Sequence, residues 1–244
     1  MRWNSLAAAI AALLATAAAA EAAPRAVLEL FTSPFCSSCP PADALFTKLA
    51  RQPDLITLVM PVDSFDGPGR KDPLAKPAFT DRQAAYAERR NSDMLFTPQA
   101  VINGAAEAMG SDPGEIREGI AQTMGVLSVP VDVKIAGDQI NLSVGGAGTA
   151  NAKTGVITVL PYMQDHTEPM RGRKSVHYAN LVRDIIPVDT WEGKPLKARL
   201  SARDFAQYDG IVVLLQAGTS ERPGAIIGAA RVPLSALRTP RAKT

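Results

Sequence analysis

Residues 27–43 read VLELFTSPFCSSCPPAD, and this stretch decides how the first half of the chain folds. It holds the only two cysteines, Cys36 and Cys39. Before them runs an apolar segment, Val27, Leu28, Leu30 and Phe31, with the character of a strand; after them Ala42, Leu45, Phe46 and Leu49 recur at helical spacing. Pro40 and Pro41 are tolerated only in a first helical turn, where a missing N–H costs little, so they place the helix start at the cysteines. A strand feeding a CxxC pair at a helix N-terminus is the arrangement of a thioredoxin-like redox site.

The chemistry needs that placement. The reactive species is the thiolate, and a helix N-terminus offers unpaired N–H groups and the positive end of a dipole to stabilise it at Cys36. Cys39, one turn on, lies on the same side and closes the disulfide. Ser37 and Ser38 offer hydroxyl donors, and Phe35 borders the pair, so these three are candidate substrate contacts. Two other readings stand beside this one. A structural disulfide over so short a loop stabilises by about 2 kcal/mol on the chain-entropy estimate. Half a metal site is the other; two reduced sulfurs can hold Cu(I), but a CxxC supplies only two ligands.

The chain has 244 residues, 46% hydrophobic and 20% charged, with a net charge of +2. That is enough for one large or two ordinary domains with packed cores. No basic tract interleaved with aromatics points to nucleic acid. Arg2, the apolar Ala-rich run Leu6 to Ala20 and the small-x-small Ala20-Glu21-Ala22 read as a signal peptide over residues 1–22, with the mature chain beginning near Ala23. The run is short for a membrane anchor, and no later segment is long enough to span. Periplasmic or secreted localisation is the expectation, where paired cysteines are the rule unless something reduces them.

Beyond the cysteines, Leu55 to Val62 is a second strand. Asp63 to Pro77 is a long loop without periodicity, and Phe79 to Arg89 is helical. Glu29 shares a strand face with Val27 and Phe31. If that strand is central, its carboxylate is desolvated, and it can serve as proton acceptor behind the cysteines; pairing with a surface Lys or Arg is the alternative. Thr97-Pro98 stands directly before the apolar Val101 and Ile102, where a thioredoxin-like fold carries a cis-proline facing the CxxC. A cis bond is expected, with Thr97 and Pro98 shaping the substrate groove. Asn103-Gly104 signals a tight turn, and Asp112-Pro113 opens a further helix.

Taken together, VLELFTS, CSSCPPAD, the VDxxD and KDP of the loop, AFTxRQxxYA and TPQxVING resemble the secreted domain of unknown function 1223 family. The resemblance covers about Val27 to Gly104 closely and the rest loosely. It implies a thioredoxin-like fold and an N-terminal signal, and no particular reaction. The loop departs from the pattern: Asp63, Asp66, Lys71 and Asp72 remain, but the His and most aromatics usual in the family are absent. Likewise Arg171-Gly172 is followed by Arg173-Lys174, where relatives often have Glu-Asn.

From about Val126 the texture changes. Val129, Val131, Val133 and Ile135 alternate with polar residues, as do Ile140, Leu142 and Val144 after Gly137-Asp138, which reads as a hairpin. Further strands read at 156–163, 175–188, 196–201, 210–216 and 225–232. About seven short strands without helices suggest an antiparallel β-sandwich. Both histidines lie here. His166 sits in a turn-like DHTEP segment, and His177 in a basic stretch with Lys174 and Arg183.

The expected organisation is therefore a thioredoxin-like α/β domain over 23–125, an all-β sandwich over 126–238 and a frayed tail over 239–244. The leading functional expectation is thiol–disulfide exchange. Cys36 is the nucleophile, Cys39 the resolving thiol and Glu29 a proton relay, with no cofactor beyond the Cys36–Cys39 disulfide. Exported protein thiols or disulfides, or an envelope redox partner, are the expected partners. A non-catalytic binding or scaffold protein of the cell envelope, or a Cu(I) handler, is the alternative.

Overall fold

Seven consecutive buried residues, Ala26–Thr32, form β1, and their side chains alternate between two cores. Ala26, Leu28 and Leu30 pack on one side with Ala42 and Phe46 of helix α1 (Pro40–Leu49); Val27 and Phe31 pack on the other with Phe79 and Tyr86 of helix α2 (Pro77–Arg89). A strand covered on both faces is central, which is why it reads as an apolar run rather than a clean alternation. The computed structural model describes residues 23–92, 94–170 and 174–234. The expected leader over 1–22, the segment 171–173 and the tail over 239–244 lie outside the described residues.

β1 pairs in parallel with β2 (Leu55–Pro61) and antiparallel with β3 (Gln99–Ile102), which turns through Asn103-Gly104 into β4 (Ala106–Met109). Both turn residues have positive φ, +50° and +62°, the geometry for which Asn-Gly is selected. Asn103 also ties this hairpin inward: its side chain accepts from the Val27 N–H at 2.7 Å and donates to Thr123 at 2.9 Å. Helix α3 (Pro113–Gln122) is capped by Asp112, whose carboxylate accepts from the N–H groups of Gly114 and Glu115.

The second half does not form a sandwich apart from this unit. Its strands are β5 (Val131–Ala136), β6 (Gln139–Val144), β7 (Gly155–Glu168), β8 (Val176–Val182), β9 (Ile186–Trp191), β10 (Leu196–Ser201), β11 (Gly210–Gly218) and β12 (Pro223–Pro233). β12, β11, β7 and β8 continue the first sheet, in the order β12-β11-β7-β8-β2-β1-β3-β4, with β9 pairing β7 to make nine strands. Only β10, β6 and β5 form a second, antiparallel sheet. It packs Ile140, Leu142 and Val144 against Ile157, Val159, Val213 and Leu215 of the large sheet.

The separate cores expected on either side of residues 124–128 are not seen. One core joins Phe31, Leu58 and Tyr86 to Leu160, Val182, Val212 and Leu214. The join is made at β8, which lies parallel beside β2 through Val59 and Leu181. There the buried Asn180 side chain donates to Thr57 at 3.0 Å. Two other expectations change with it. Residues 175–188 are two strands, and the DHTEP segment around His166 is the end of β7, held straight by pairing with β8.

Candidate active site

The turn from β1 into α1 carries both cysteines, joined as a disulfide with their Cα atoms 5.4 Å apart. Cys39 is the N-cap of α1, followed by Pro40 and Pro41, and its carbonyl already accepts from the Ala42 and Asp43 N–H groups. Cys36 is the outer residue, 6% exposed against 0% for Cys39. Ser37 and Ser38 are exposed beside it. The Ser38 hydroxyl lies 3.3 Å from Cys36 Sγ and donates to the Thr97 carbonyl at 3.4 Å.

The Thr97-Pro98 bond is cis. It brings the Thr97 carbonyl oxygen to 3.6 Å from Cys36 Sγ, although 61 residues separate them in sequence. Gly110 backs this corner. Its N–H donates to the Pro98 carbonyl at 2.9 Å, and a Cβ on it would lie 2.7 Å from Leu30 and 3.2 Å from Pro98. A side chain at 110 would therefore displace the Leu30 side chain and crowd the proline. Phe35, Phe65, Leu95 and Phe96 join Cys36 and Thr97 around an open groove of about 500 Å³.

Glu29 is fully buried, but it does not point at the cysteines. It shares the α2 side of β1 with Val27 and Phe31, whereas α1 covers the opposite side. Both its oxygens are taken: Arg82 Nε donates at 2.8 Å and the Tyr86 hydroxyl at 2.6 Å. Arg82 also donates to Tyr86 at 2.7 Å and to Gln216 at 2.9 Å, and Gln216 donates to Tyr86 at 2.6 Å. Burial opposes the Arg82 charge, yet the adjacent Glu29 more than offsets that and raises its pKa. The expected proton acceptor is thus the anchor of a buried structural network.

The acid on the cysteine side is Asp43, which the sequence reading passed over inside the CSSCPPAD motif. It lies four residues after Cys39, on the same face of α1. Its carboxylate accepts from the Thr32 hydroxyl at 2.8 Å. Burial raises its pKa from 3.8 to about 7, against a smaller lowering by the Thr32 bond. Asp72, from the long loop, is buried and raised for the same primary reason. Tyr178 of β8 is raised too, by burial first and then by the charges of Asp43 and Asp72. The only local signal for Asp43 was an acid just inside a helix start, a position that ordinarily serves the dipole.

The histidines are elsewhere. His166 lies 3.1 Å from Glu168, and His177 bonds Thr167 at 3.2 Å and Asp165 at 3.2 Å, all on β7 and β8. Among the described residues no group of three or more His, Cys, Asp or Glu is placed to hold a metal ion. No helix among them is long and apolar enough to cross a membrane.

A strand, a CxxC turn and a helix facing a cis-proline at one end of a mixed sheet define a thioredoxin-like unit extended by further strands. The chain belongs to the family described as protein of unknown function (DUF1223), whose model matches residues 27–216. Its fold is similar to the crystal structure of protein AGR_C_4864 from Agrobacterium tumefaciens, with 32% identity and a TM-score of 0.78 over 86% of this chain and 95% of that one. A more distant likeness is HBP35 of Porphyromonas gingivalis, 11% identical, with a TM-score of 0.58 over 91% of this chain and 79% of that one, a likeness of fold alone. No curated protein matches.

Proposed function

We propose that this is an exported thiol–disulfide oxidoreductase acting through Cys36 and Cys39. The observation that carries the reading is the asymmetry of the pair. Cys36 faces an open groove beneath the Thr97 carbonyl, while Cys39 is sealed below it, one helical turn from a half-buried acid whose pKa is raised to about 7. A purely structural disulfide needs neither the groove nor the acid.

The exchange balances as follows. In the reducing direction the Cys36 thiolate attacks one sulfur of a substrate disulfide; a Cys36–substrate bond forms and the first substrate thiolate leaves. Asp43 takes the Cys39 proton, and the Cys39 thiolate attacks Cys36 Sγ. The second substrate thiol is released and the Cys36–Cys39 disulfide remains, two electrons having passed to the substrate. The reverse sequence oxidises a substrate dithiol. Export follows from the N-terminal sequence pattern, and the substrates on this reading are thiols or disulfides of other exported proteins.

Dithiol-driven reduction of a disulfide-bonded test protein, and oxidation of a reduced one, measure both directions. Wild type should be active in at least one, Cys36→Ser inactive, and Cys39→Ser should accumulate a mixed disulfide visible on non-reducing gels. Equal rates for wild type and Cys36→Ser would leave the scaffold reading standing in its place.

A further inference from the structure

We propose, resting on the exchange reading above, that the groove beside Cys36 selects a polypeptide cysteine flanked by a bulky apolar residue over small charged thiols such as glutathione. Four large apolar side chains stand exposed among the described residues, Met94, Leu95, Met109 and Met124. Leu95, 48% exposed, lines the groove, and Met94, 73% exposed, is its neighbour in the chain. Phe35, Phe65 and Phe96 complete an apolar wall around the outer sulfur. Apolar area of this kind, left in water next to a reactive atom, gains free energy when a ligand covers it.

Charge argues for the same occupant. None of the residues lining the groove carries a formal charge. One guanidinium, Arg70, stands beside the groove: its Nε donates to the Phe65 carbonyl at 2.8 Å and its head lies 5.4 Å from the centre of the Phe35 ring. The Phe96 carbonyl is taken by Gln83 at 2.8 Å, and the Thr97 carbonyl by Ser38 at 3.4 Å. A tripeptide thiol with two carboxylates therefore meets a lining of aromatic rings, Leu95 and uncharged polar groups, with the exposed Arg70 guanidinium at its edge. An extended segment with a Leu or Phe beside its cysteine buries that side chain on Leu95 and Phe65 while its sulfur reaches Cys36.

The test uses the reduced Cys39→Ser protein, so that only the first exchange occurs. Three probes each carry a thionitrobenzoate leaving group: end-blocked Gly-Leu-Cys-Leu-Gly, end-blocked Gly-Ser-Cys-Ser-Gly, and glutathione. The Cys36 thiolate attacks the probe sulfur, the Cys36–probe disulfide forms, and the coloured thiolate that leaves is followed by stopped flow. The leucine peptide should react about tenfold faster than either other probe, in the range one buried apolar side chain discriminates. Adding Leu95→Ser should narrow the leucine-to-serine ratio at least about threefold. Equal rates for all three probes, or a ratio untouched by both Leu95→Ser and Phe65→Ala, would overturn the selectivity. No release above that of the Cys36→Ser/Cys39→Ser protein would instead sink the exchange reading, and the selectivity with it.

Discussion

Asp43 connects the physical state of a single carboxyl to both stability and chemistry. Its raised pKa, about 7 against 3.8, means that folding favours the protonated form. The sign follows from linkage: the stabilising effect is complete below about pH 4 and is lost as pH rises through 7, because the folded protein must then carry a desolvated charge. Asp43→Asn keeps an oxygen to accept the Thr32 hydroxyl and removes the titration. The melting temperature of Asp43→Asn relative to wild type should therefore climb steadily from about pH 4 to about pH 7 and level off above that. A gap constant across that range would show that the carboxyl titrates normally. In the exchange reaction the same variant should slow decay of the mixed disulfide and flatten its pH profile near neutrality, leaving the first attack by Cys36 less affected. Asp43 was not legible as this residue because nothing in the sequence says that Thr32, Tyr178 and the loop carrying Asp72 close over it.

At the scale of elements, α2 is fastened to the sheet by charge as well as by packing. Arg82 and Glu29 are 5% and 0% exposed at the side chain, and Gln216 brings β11 into the same network. Removing one partner of a buried pair leaves a lone charge, at a cost of about 3–5 kcal/mol, whereas replacing both can be nearly neutral. Arg82→Met should lower unfolding free energy in urea by that amount, and Glu29→Gln/Arg82→Met should recover much of it. A double variant as unstable as the sum of its singles would show that packing, and not the charge pair, holds α2 in place. The sequence made only part of this legible: it put Glu29 on one face with Val27 and Phe31 and left open whether the carboxylate is buried or pairs at the surface. Its partner stayed hidden, 53 residues away on a helix whose apolar pattern is modest. What read cleanly were local devices, the Pro40-Pro41 helix start, the Asn103-Gly104 turn and the Asp112 cap. Each acts within a few residues of the signal that reveals it.

The whole molecule is where local reading failed, for a definite reason. β9 and β10 alternate, whereas β7, β8 and β11 carry buried apolar runs, and such runs look alike whether the strands form the core of a separate sandwich or extend a neighbouring sheet. Only the insertion of β8 beside β2 decides it, and that contact is one bridged residue pair, Val59 with Leu181, reinforced by Asn180 on Thr57. Everything beyond depends on the join. Without β8, the β2 strand becomes a sheet edge with unpaired N–H and C=O groups. Without β8, β7 and β11, the apolar face of Ile56, Leu58 and Met60 loses Val182, Leu160, Val212 and Leu214 from its core. A fragment of residues 23–125 should therefore associate and unfold without a cooperative transition, although it holds the complete CxxC unit. The chain from Ala23 onward carries one tryptophan, Trp191, buried in the second half with its indole N–H on the Gly145 carbonyl at 2.9 Å. Its fluorescence reports that half, and alkylation of Cys36 and Cys39 under reducing conditions reports the other. In urea the two signals should change at the same midpoint, as one cooperative unit requires. Two separated midpoints, or a monomeric 23–125 fragment with a sharp transition of its own, would show that the shared sheet joins two units that fold independently.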